Sequence, residues 1–408
     1  MPSTQASFSP LFTPITRLLM QKFREEGSEL RFVGGAVRDC LLNRSPSDID
    51  FSTPALPSAV TTWIQQIGLR AIPTGVLFGT ITARDESTKQ TFEITTLRRD
   101  VRTDGRYASV QFTSQWFEDA VRRDFTINAL YCDDQGRLYD FFEGEKDLIA
   151  GRIRFIGNPH DRIAEDHLRI LRYFRFWARF GRVTPEAELL HLLEKAAPKL
   201  QTLSGGRIWK ELQAILITAR FRETLWLMRR ILAPLFGTTS APLPAYAFWD
   251  HPLLQDPLLR LSFFITSMTA YRLIKDRLHL SNKEAIKLRT LLLYEPYDVR
   301  NPEERLRRAL AQPSQELFPL RLAVDVVHAV MTGTLEEKDA LPLFDEMGKM
   351  DFPKFPLGGS DLIQIGVPSG PVIGHVLAKT RAWWVSQNGK PKRDECLTAA
   401  QKIYQDVC

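Results

Sequence analysis

Phe32-Val33-Gly34-Gly35-Ala36-Val37-Arg38-Asp39, followed shortly by Ser47-Asp48-Ile49-Asp50-Phe51, is the stretch on which the fold turns. Leu30–Val33 reads as a short strand, Gly34-Gly35 as a tight turn and Ala36–Leu42 as a helix. A glycine turn opening a helix presents unpaired N–H groups and the positive end of the helix dipole, which suits a phosphate. Arg38, in the first turns of that helix, adds a guanidinium fork. If residues 48–51 form a strand, alternation sends Asp48 and Asp50 to one face and Ile49 and Phe51 into a core. Magnesium takes one or two carboxylates and completes its shell with substrate phosphates, so this pair suits phosphoryl transfer from a nucleotide. A solvated strand edge also explains an isolated Asp-x-Asp; the glycine turn at this spacing favours metal and phosphate.

Around this stretch the chain is an ordinary globular one. Its 408 residues exceed a single common domain. Hydrophobic content of 44% with 25% charged residues predicts that most of it folds. The net charge of +6 is compatible with an RNA partner, and equally with any basic protein. Cys40, Cys132, Cys396 and Cys408 form no CxxC pair and have no histidine at ligand spacing. Structural zinc and a disulfide scaffold are therefore not expected, and a reducing cytoplasm is. No apolar run reaches the roughly 18 residues of a membrane span. The first residues lack both a signal-peptide pattern and the arginines of a presequence. Neither GxxxxGK[ST] nor GxGxxG occurs.

A leading helix is predicted over Pro14–Glu26, then alternating strands and helices to about residue 140. Leu69–Pro73, Thr80–Ala83 and Thr91–Thr95 carry strand composition, with a helix near Ser58–Ile67 before them. Asn128–Cys132 and Arg137–Asp140 suggest a hairpin closed by Asp133-Asp134-Gln135-Gly136. Beyond Pro159 helical periodicity takes over: Asp161–Phe180, Pro185–Ala196, Arg207–Thr218, Arg222–Leu232 and onward to Ile403. The fold class expected is α+β, an α/β head (1–140) followed by an all-helical neck (141–235) and a helical body and tail (236–408). Trp383-Trp384 is expected to be packing, not an RNA platform.

GGAVRDCLLNRSPSDIDF resembles the first motif of the class II tRNA nucleotidyltransferase and bacterial poly(A) polymerase family. Four more segments follow in the family's order. Arg122-Arg123-Asp124-Phe125-Thr126-Ile127-Asn128 resembles its ribose-recognition motif, and Asp140 to Arg154 the hinge between head and neck. Glu165-Asp166-His167-Leu168-Arg169-Ile170-Leu171-Arg172 is similar to the nucleobase-recognition helix. Gly205-Gly206-Arg207-Ile208-Trp209-Lys210-Glu211-Leu212 resembles the neck motif that braces it. The likeness is dense over residues 28–230 and loose beyond, and five motifs in register are far more specific than one.

The resemblance implies a polymerase-beta-like head that adds CCA to the 3′ end of tRNA from CTP and ATP, with Mg2+ as cofactor. Asp48 and Asp50 would be the metal ligands, and Glu93, on an alternating Phe92-Glu93-Ile94-Thr95 strand, a third acidic group or a solvent-facing strand residue. Gly34, Gly35, Arg38, Arg122, Arg123, Asp124, Asn128 and Arg172 would contact the nucleotide, Asp124 accepting from ribose hydroxyls. Asp166 and Arg169 stand at i, i+3 and would share a helix face. An acceptor beside a guanidinium matches the amino donor and ring-nitrogen acceptor of cytosine and adenine, and mismatches uracil and guanine. A plain helical salt bridge, worth about 0.3–0.5 kcal/mol, is the alternative. Arg175 and Arg179 continue a basic stripe that faces phosphates or solvent.

Thr96–Phe112 reads as a long polar loop turning at Asp104-Gly105; it resembles the loop complete CCA-adding enzymes use for the final A. Phe78 stands where many relatives carry histidine. A bacterial poly(A) polymerase is the near rival, disfavoured by a TGVLFGT turn without arginine, and CC-only or A-only enzymes come next. An HD-type phosphohydrolase fails because His160-Asp161 has no upstream histidine to complete the site. A non-catalytic RNA-binding scaffold is opposed by the intact acidic motif.

Overall fold

Pro14 at the first helical position and the Thr13 side chain, which accepts the Thr16 N–H, start α1 (Pro14–Glu25). The computed structural model describes residues 8–103, 108–237, 243–265, 267–292, 297–311, 317–349 and 353–407. Two units emerge, Met1–Ile215 and Leu216–Cys408. In the first, β1 (Arg31–Val33), α2 (Gly35–Leu41), β2 (Asp50–Thr53), α3 (Pro57–Gln66), β3 (Arg70–Gly75), β4 (Thr80–Arg84) and β5 (Thr91–Thr96) follow α1. Next come β6 (Arg98–Thr103), β7 (Ala108–Phe112), α4 (Trp116–Val121), β8 (Leu130–Cys132) and β9 (Leu138–Asp140). Among the described residues one sheet runs β3-β4-β5-β2-β1-β8-β9, antiparallel throughout except for the parallel β2–β5 pair. Phe32, Phe51 and Phe92 pack as tilted rings across its centre, centroids 4.7 and 6.3 Å apart, with α1 and α3 covering them. Burial of each such ring stabilises by roughly 2 kcal/mol. That anchored centre holds the end of β2 in place.

Three expectations need correction. The acidic strand begins at Asp50, not Asp48, because its partner β1 ends at Val33↔Asp50, where Gly34 turns away with φ +65°. Asp48 therefore lies in the bend before the strand, exposed, with Ser47 Oγ donating to it at 3.0 Å. The loop expected over Thr96–Phe112 is an antiparallel ribbon, β6 against β7, with a register shift between Asp100 and Arg102. Cross-strand pairing satisfies a backbone that side-chain periodicity left unassigned. Its expected Asp104-Gly105 turn lies outside the described residues.

The single helix expected over 161–180 is two. After α5 (Gly144–Ala150), α6 (Pro159–Glu165) stops at Asp166, which is extended at φ −149°, ψ 106°. The Asp166 carboxylate accepts the Leu168 N–H at 3.0 Å and so starts a new helix, α7 (Arg169–Phe180). Asp166 and Arg169 consequently do not share one helical face. α8 (Ala187–Ala196) and α9 (Gly205–Leu216) follow, so the helices of the expected neck begin in the same unit as the head.

The second unit is helical, as expected: α10 (Phe221–Phe236), α11 (Pro257–Ser262), α12 (Met268–Leu278), α13 (Asn282–Leu292), α14 (Pro302–Leu310), α15 (Phe318–Met331), α16 (Glu337–Lys349), α17 (Gly359–Gln364), α18 (Pro371–Ser386) and α19 (Arg393–Val407). Arg260, wholly buried, donates to the Leu216, Trp249 and Leu254 carbonyls at 2.5–2.8 Å, satisfying backbone acceptors that packing removes from water. Trp384 is buried, its indole donating to the Pro391 carbonyl at 3.0 Å, which fits packing. Among the described residues no helix is long and apolar enough to cross a membrane.

Candidate active site

Asp50 opens β2 beside Glu93, its register partner on β5, and two residues after Asp48. Partial burial raises the Asp50 carboxyl, Glu93 and Asp48 raise it further, and Arg123 only partly opposes them, so it is pushed up to about 6. Crowded, half-desolvated carboxylates of this kind are stabilised by a cation, so the donor set fits a hard divalent metal. Among the described residues no three His, Cys, Asp or Glu side chains form a ready-made cage. Magnesium does not require one when substrate phosphates supply the remaining oxygens.

Arg123 borders this edge. Its guanidinium donates to Ser52 Oγ at 3.3 Å, on the same face of β2 as Asp50, to the Tyr131 hydroxyl at 3.0 Å and to Asp119 at 2.9 Å. Arg122 donates to the other Asp119 oxygen at 2.5 and 2.8 Å. Burial alone would raise the Asp119 carboxyl, but Arg123 and Arg122 outweigh it and hold the group well below its usual range. Both guanidiniums are thus fixed in place by one buried anion. Gly34 lies against them: a Cβ there would stand 3.5 Å from the Asn128 carbonyl oxygen and 3.8 Å from Arg123 Nη1. With φ +65° and ψ −115°, it occupies a conformation only glycine adopts readily.

Asp124 and Asn128 lie one turn further on. Asn128 donates to Asp124 Oδ1 at 3.0 Å and accepts from Arg38 Nη1 at 2.6 Å. Arg38 is therefore a support for Asn128, its side chain buried under Phe180 at 4.4 Å, and not an open fork for phosphate. Burial lowers its guanidinium to about 10, against the opposing pull of Asp39. Arg172 donates to Asp124 Oδ2 at 2.7 Å through Nε, and its Nη2 stands 2.5 Å from the same oxygen as an ion pair. The turn carrying Asn128 is set by α5: Asp147 accepts Thr126 Oγ1 at 2.7 Å and Arg154 Nε at 2.9 Å. Gly144 is obligatory there, since a Cβ would meet the Thr126 carbonyl oxygen at 2.2 Å.

Asp166 and Arg169, expected to read the base, are held by separate partners. Asp166 Oδ2 accepts Arg207 Nη2 at 2.9 Å, while Arg169 Nη1 donates to Glu165 at 2.5 Å and to the Arg162 carbonyl at 2.7 Å. Arg162 in turn donates to Glu165 at 2.6 Å and to the Arg122 and Arg123 carbonyls, tying this segment to the arginine turn. Asp119, Tyr131, Arg162 and Glu165 were absent from the expected site. Acid and base at i, i+3 and i, i+4 in 119/122/123 and 162/165/169 are the signal that marks three of them.

Residues 30–154 match the family model described as the Poly A polymerase head domain. The mitochondrial CCA tRNA nucleotidyltransferase 1 of Danio rerio is 34% identical over 422 residues, covering 96% of this chain and 91% of that protein. Its counterpart from Homo sapiens is 34% identical over 425 residues, covering 97% and 92%. In fold, the chain is similar to the Bacillus stearothermophilus CCA-adding enzyme solved in complex with CTP, with a TM-score of 0.73, 24% identity and coverage of 97% of this chain and 100% of that one. Identity at this level along nearly the whole of both chains, with the acidic edge and arginine turn in place, makes this chain a member of the CCA tRNA nucleotidyltransferase family.

Proposed function

We propose that the protein adds CCA to the 3′ end of tRNA from CTP and ATP, without a nucleic-acid template and with release of pyrophosphate. The observation that carries this is the acidic edge, Asp50 with Asp48 and Glu93, standing beside Arg123 and one network away from Asp166 and Arg169. Asp48 and Asp50 would hold Mg2+, which when bound lowers the barrier by neutralising phosphate charge and favouring the ionised 3′-hydroxyl. Glu93 adds negative charge at the same edge. Arg122 and Arg123 bind and orient the triphosphate, with Asp119 preventing either from folding onto Asp50. Asp124 and Asn128 accept from and donate to the ribose. Asp166 accepts the amino group of cytosine or adenine, and Arg169 donates to the ring nitrogen; uracil and guanine present the opposite order. Positioning of this kind does most of the work in nucleotidyl transfer.

The β6–β7 ribbon is proposed to shift the pocket from its cytosine to its adenine arrangement. The helical neck (141–235) carries base selection, and the body and tail (236–408) hold the tRNA by shape and phosphate contacts. We place the protein in the cytoplasm, in keeping with Cys40, Cys132 and Cys396 as free, buried thiols; fractionation against a mitochondrial marker tests that. Incubation with tRNA transcripts ending before CCA, at C and at CC, each with one labelled nucleotide, tests the activity. Two C additions followed by one A are expected. A run of A would make it a poly(A) polymerase, and a stop after CC a partial enzyme.

A further inference from the structure

Beyond the base-reading segment, α7 carries an arginine face whose guanidiniums are laid on two phenylalanines. Arg172, Arg175, Phe176, Arg179 and Phe180 recur at helical spacing and so share one side. Arg175 lies 4.6 Å and Arg172 5.5 Å from the Phe176 centroid; Arg179 lies 5.1 Å, Arg38 4.4 Å and Arg44 5.9 Å from that of Phe180. Both phenylalanines are buried, so they hold the guanidiniums by cation–π contact and offer no platform to a base.

Charge on this face is unbalanced. Among the described residues the carboxylates paired with these five arginines are Asp39, Asp124 and Glu211. Asp124 serves Arg172, Glu211 serves Arg175 at 3.0 Å, and Asp39 is shared between Arg38 and Arg179 at 3.4 Å each. Arg44 is exposed and has no carboxylate partner among the described residues. Arg179 keeps a side chain 51% exposed. Cationic crowding is felt inside as well: burial lowers the Arg38 guanidinium, and Arg179 and Arg175 add to that.

We propose that Arg44 and Arg179, backed by Arg175, form a phosphate track for the single-stranded 3′ terminus of the RNA substrate. The inference rests on the proposed function for the identity of that RNA and for the nucleotide contact at Asp124. Seven residues of α7 separate Arg179 from Arg172, a rise of about 10 Å, so the track begins a step beyond the nucleotide contact at Asp124. Guanidiniums held over buried rings read backbone charge, not sequence, which suits a terminus common to all substrates.

Filter binding and steady-state kinetics of Arg44→Gln, Arg179→Gln and the double variant test this. The ligands are a tRNA transcript ending before CCA, the same transcript lacking its single-stranded terminus, and CTP. For the double variant, tRNA affinity should fall roughly tenfold and the salt dependence of binding flatten by about 1.4 in log–log slope, two single-strand phosphates' worth. KM for CTP should stay within about twofold, and the terminus-lacking tRNA should bind wild type and variant alike. Arg179→Lys should restore most of the affinity by restoring the charge, which a purely structural Arg179 would not allow. A raised KM for CTP with unchanged tRNA binding would assign the track to the triphosphate and overturn the proposal. Unchanged binding and slope would make it a solvated face, which Arg44→Gln settles without risk to folding. If wild type binds RNA through this track yet extends no tRNA, the function proposed above fails and the track stands.

Discussion

Arg172 grips Asp124 with both Nε and Nη2, at 2.7 and 2.5 Å, fastening α7 to the turn of the head that carries Asp124 and Asn128. Burial alone would raise the Asp124 carboxyl; Arg172, Asn128 and the Phe125 N–H outweigh it and hold the group below its ordinary value. A folded-state value below the unfolded one means stability that is present above about pH 4 and lost as pH falls through the folded value. Asp124→Asn should cost about 3 kcal/mol at pH 7, because Arg172 is left without its partner. It should also flatten the acid limb of the stability curve. Urea melts between pH 2.5 and 7 check both; a variant with the wild-type pH dependence would show that the pair contributes nothing.

Gly34→Ala should destabilise by about 1–3 kcal/mol, the cost of forcing a side chain into a glycine-only conformation. It should also impair incorporation, since the new methyl group faces the Asn128 carbonyl and Arg123. Thermal melting beside a tRNA extension assay measures the two effects. Wild-type behaviour in both would mean the turn relaxes freely.

Much of this site was legible in the chain, because each motif combines a local backbone signal with a chemical one. Gly34-Gly35 announces a positive φ, and Asp50-Phe51 alternates acid with core. What was not legible is non-local or competitive. The start of β2 depends on where β1 ends, the polar side chains of β6 and β7 carry no periodicity that reveals their pairing, and the break at Asp166 arises because its side chain caps Leu168 in competition with the helix. Arg38 was expected at a phosphate and lies under Phe180 instead, since burial is decided by α7, far along the chain.

Asp166 and Arg169 are fixed by different partners, Arg207 and Glu165. Asp166→Ala and Arg169→Ala should each relax base choice, admitting UTP against CTP by about 1–3 kcal/mol of lost discrimination. Glu165→Gln should weaken selection in the same direction but less, by loosening Arg169 alone. Competition assays with paired nucleotides read this out. Intact selectivity with lowered stability would make the pair a structural bridge.

Removal of residues 101–109 with a short Gly closure should leave CC addition nearly normal and strongly impair the final A, the outcome that the ribbon's proposed role in the adenine step requires. Equal loss of both would make the ribbon a general structural element, and no loss an ornament of the surface.

The most direct test places wild type and Asp50→Asn side by side on a tRNA transcript ending before CCA, with CTP and ATP, and resolves products one nucleotide at a time. Wild type should yield a single product three nucleotides longer, sequenced as CCA, while Asp50→Asn binds the tRNA normally and extends it by nothing. Extension by Asp50→Asn at the wild-type rate, or a wild-type product other than CCA, would contradict the account.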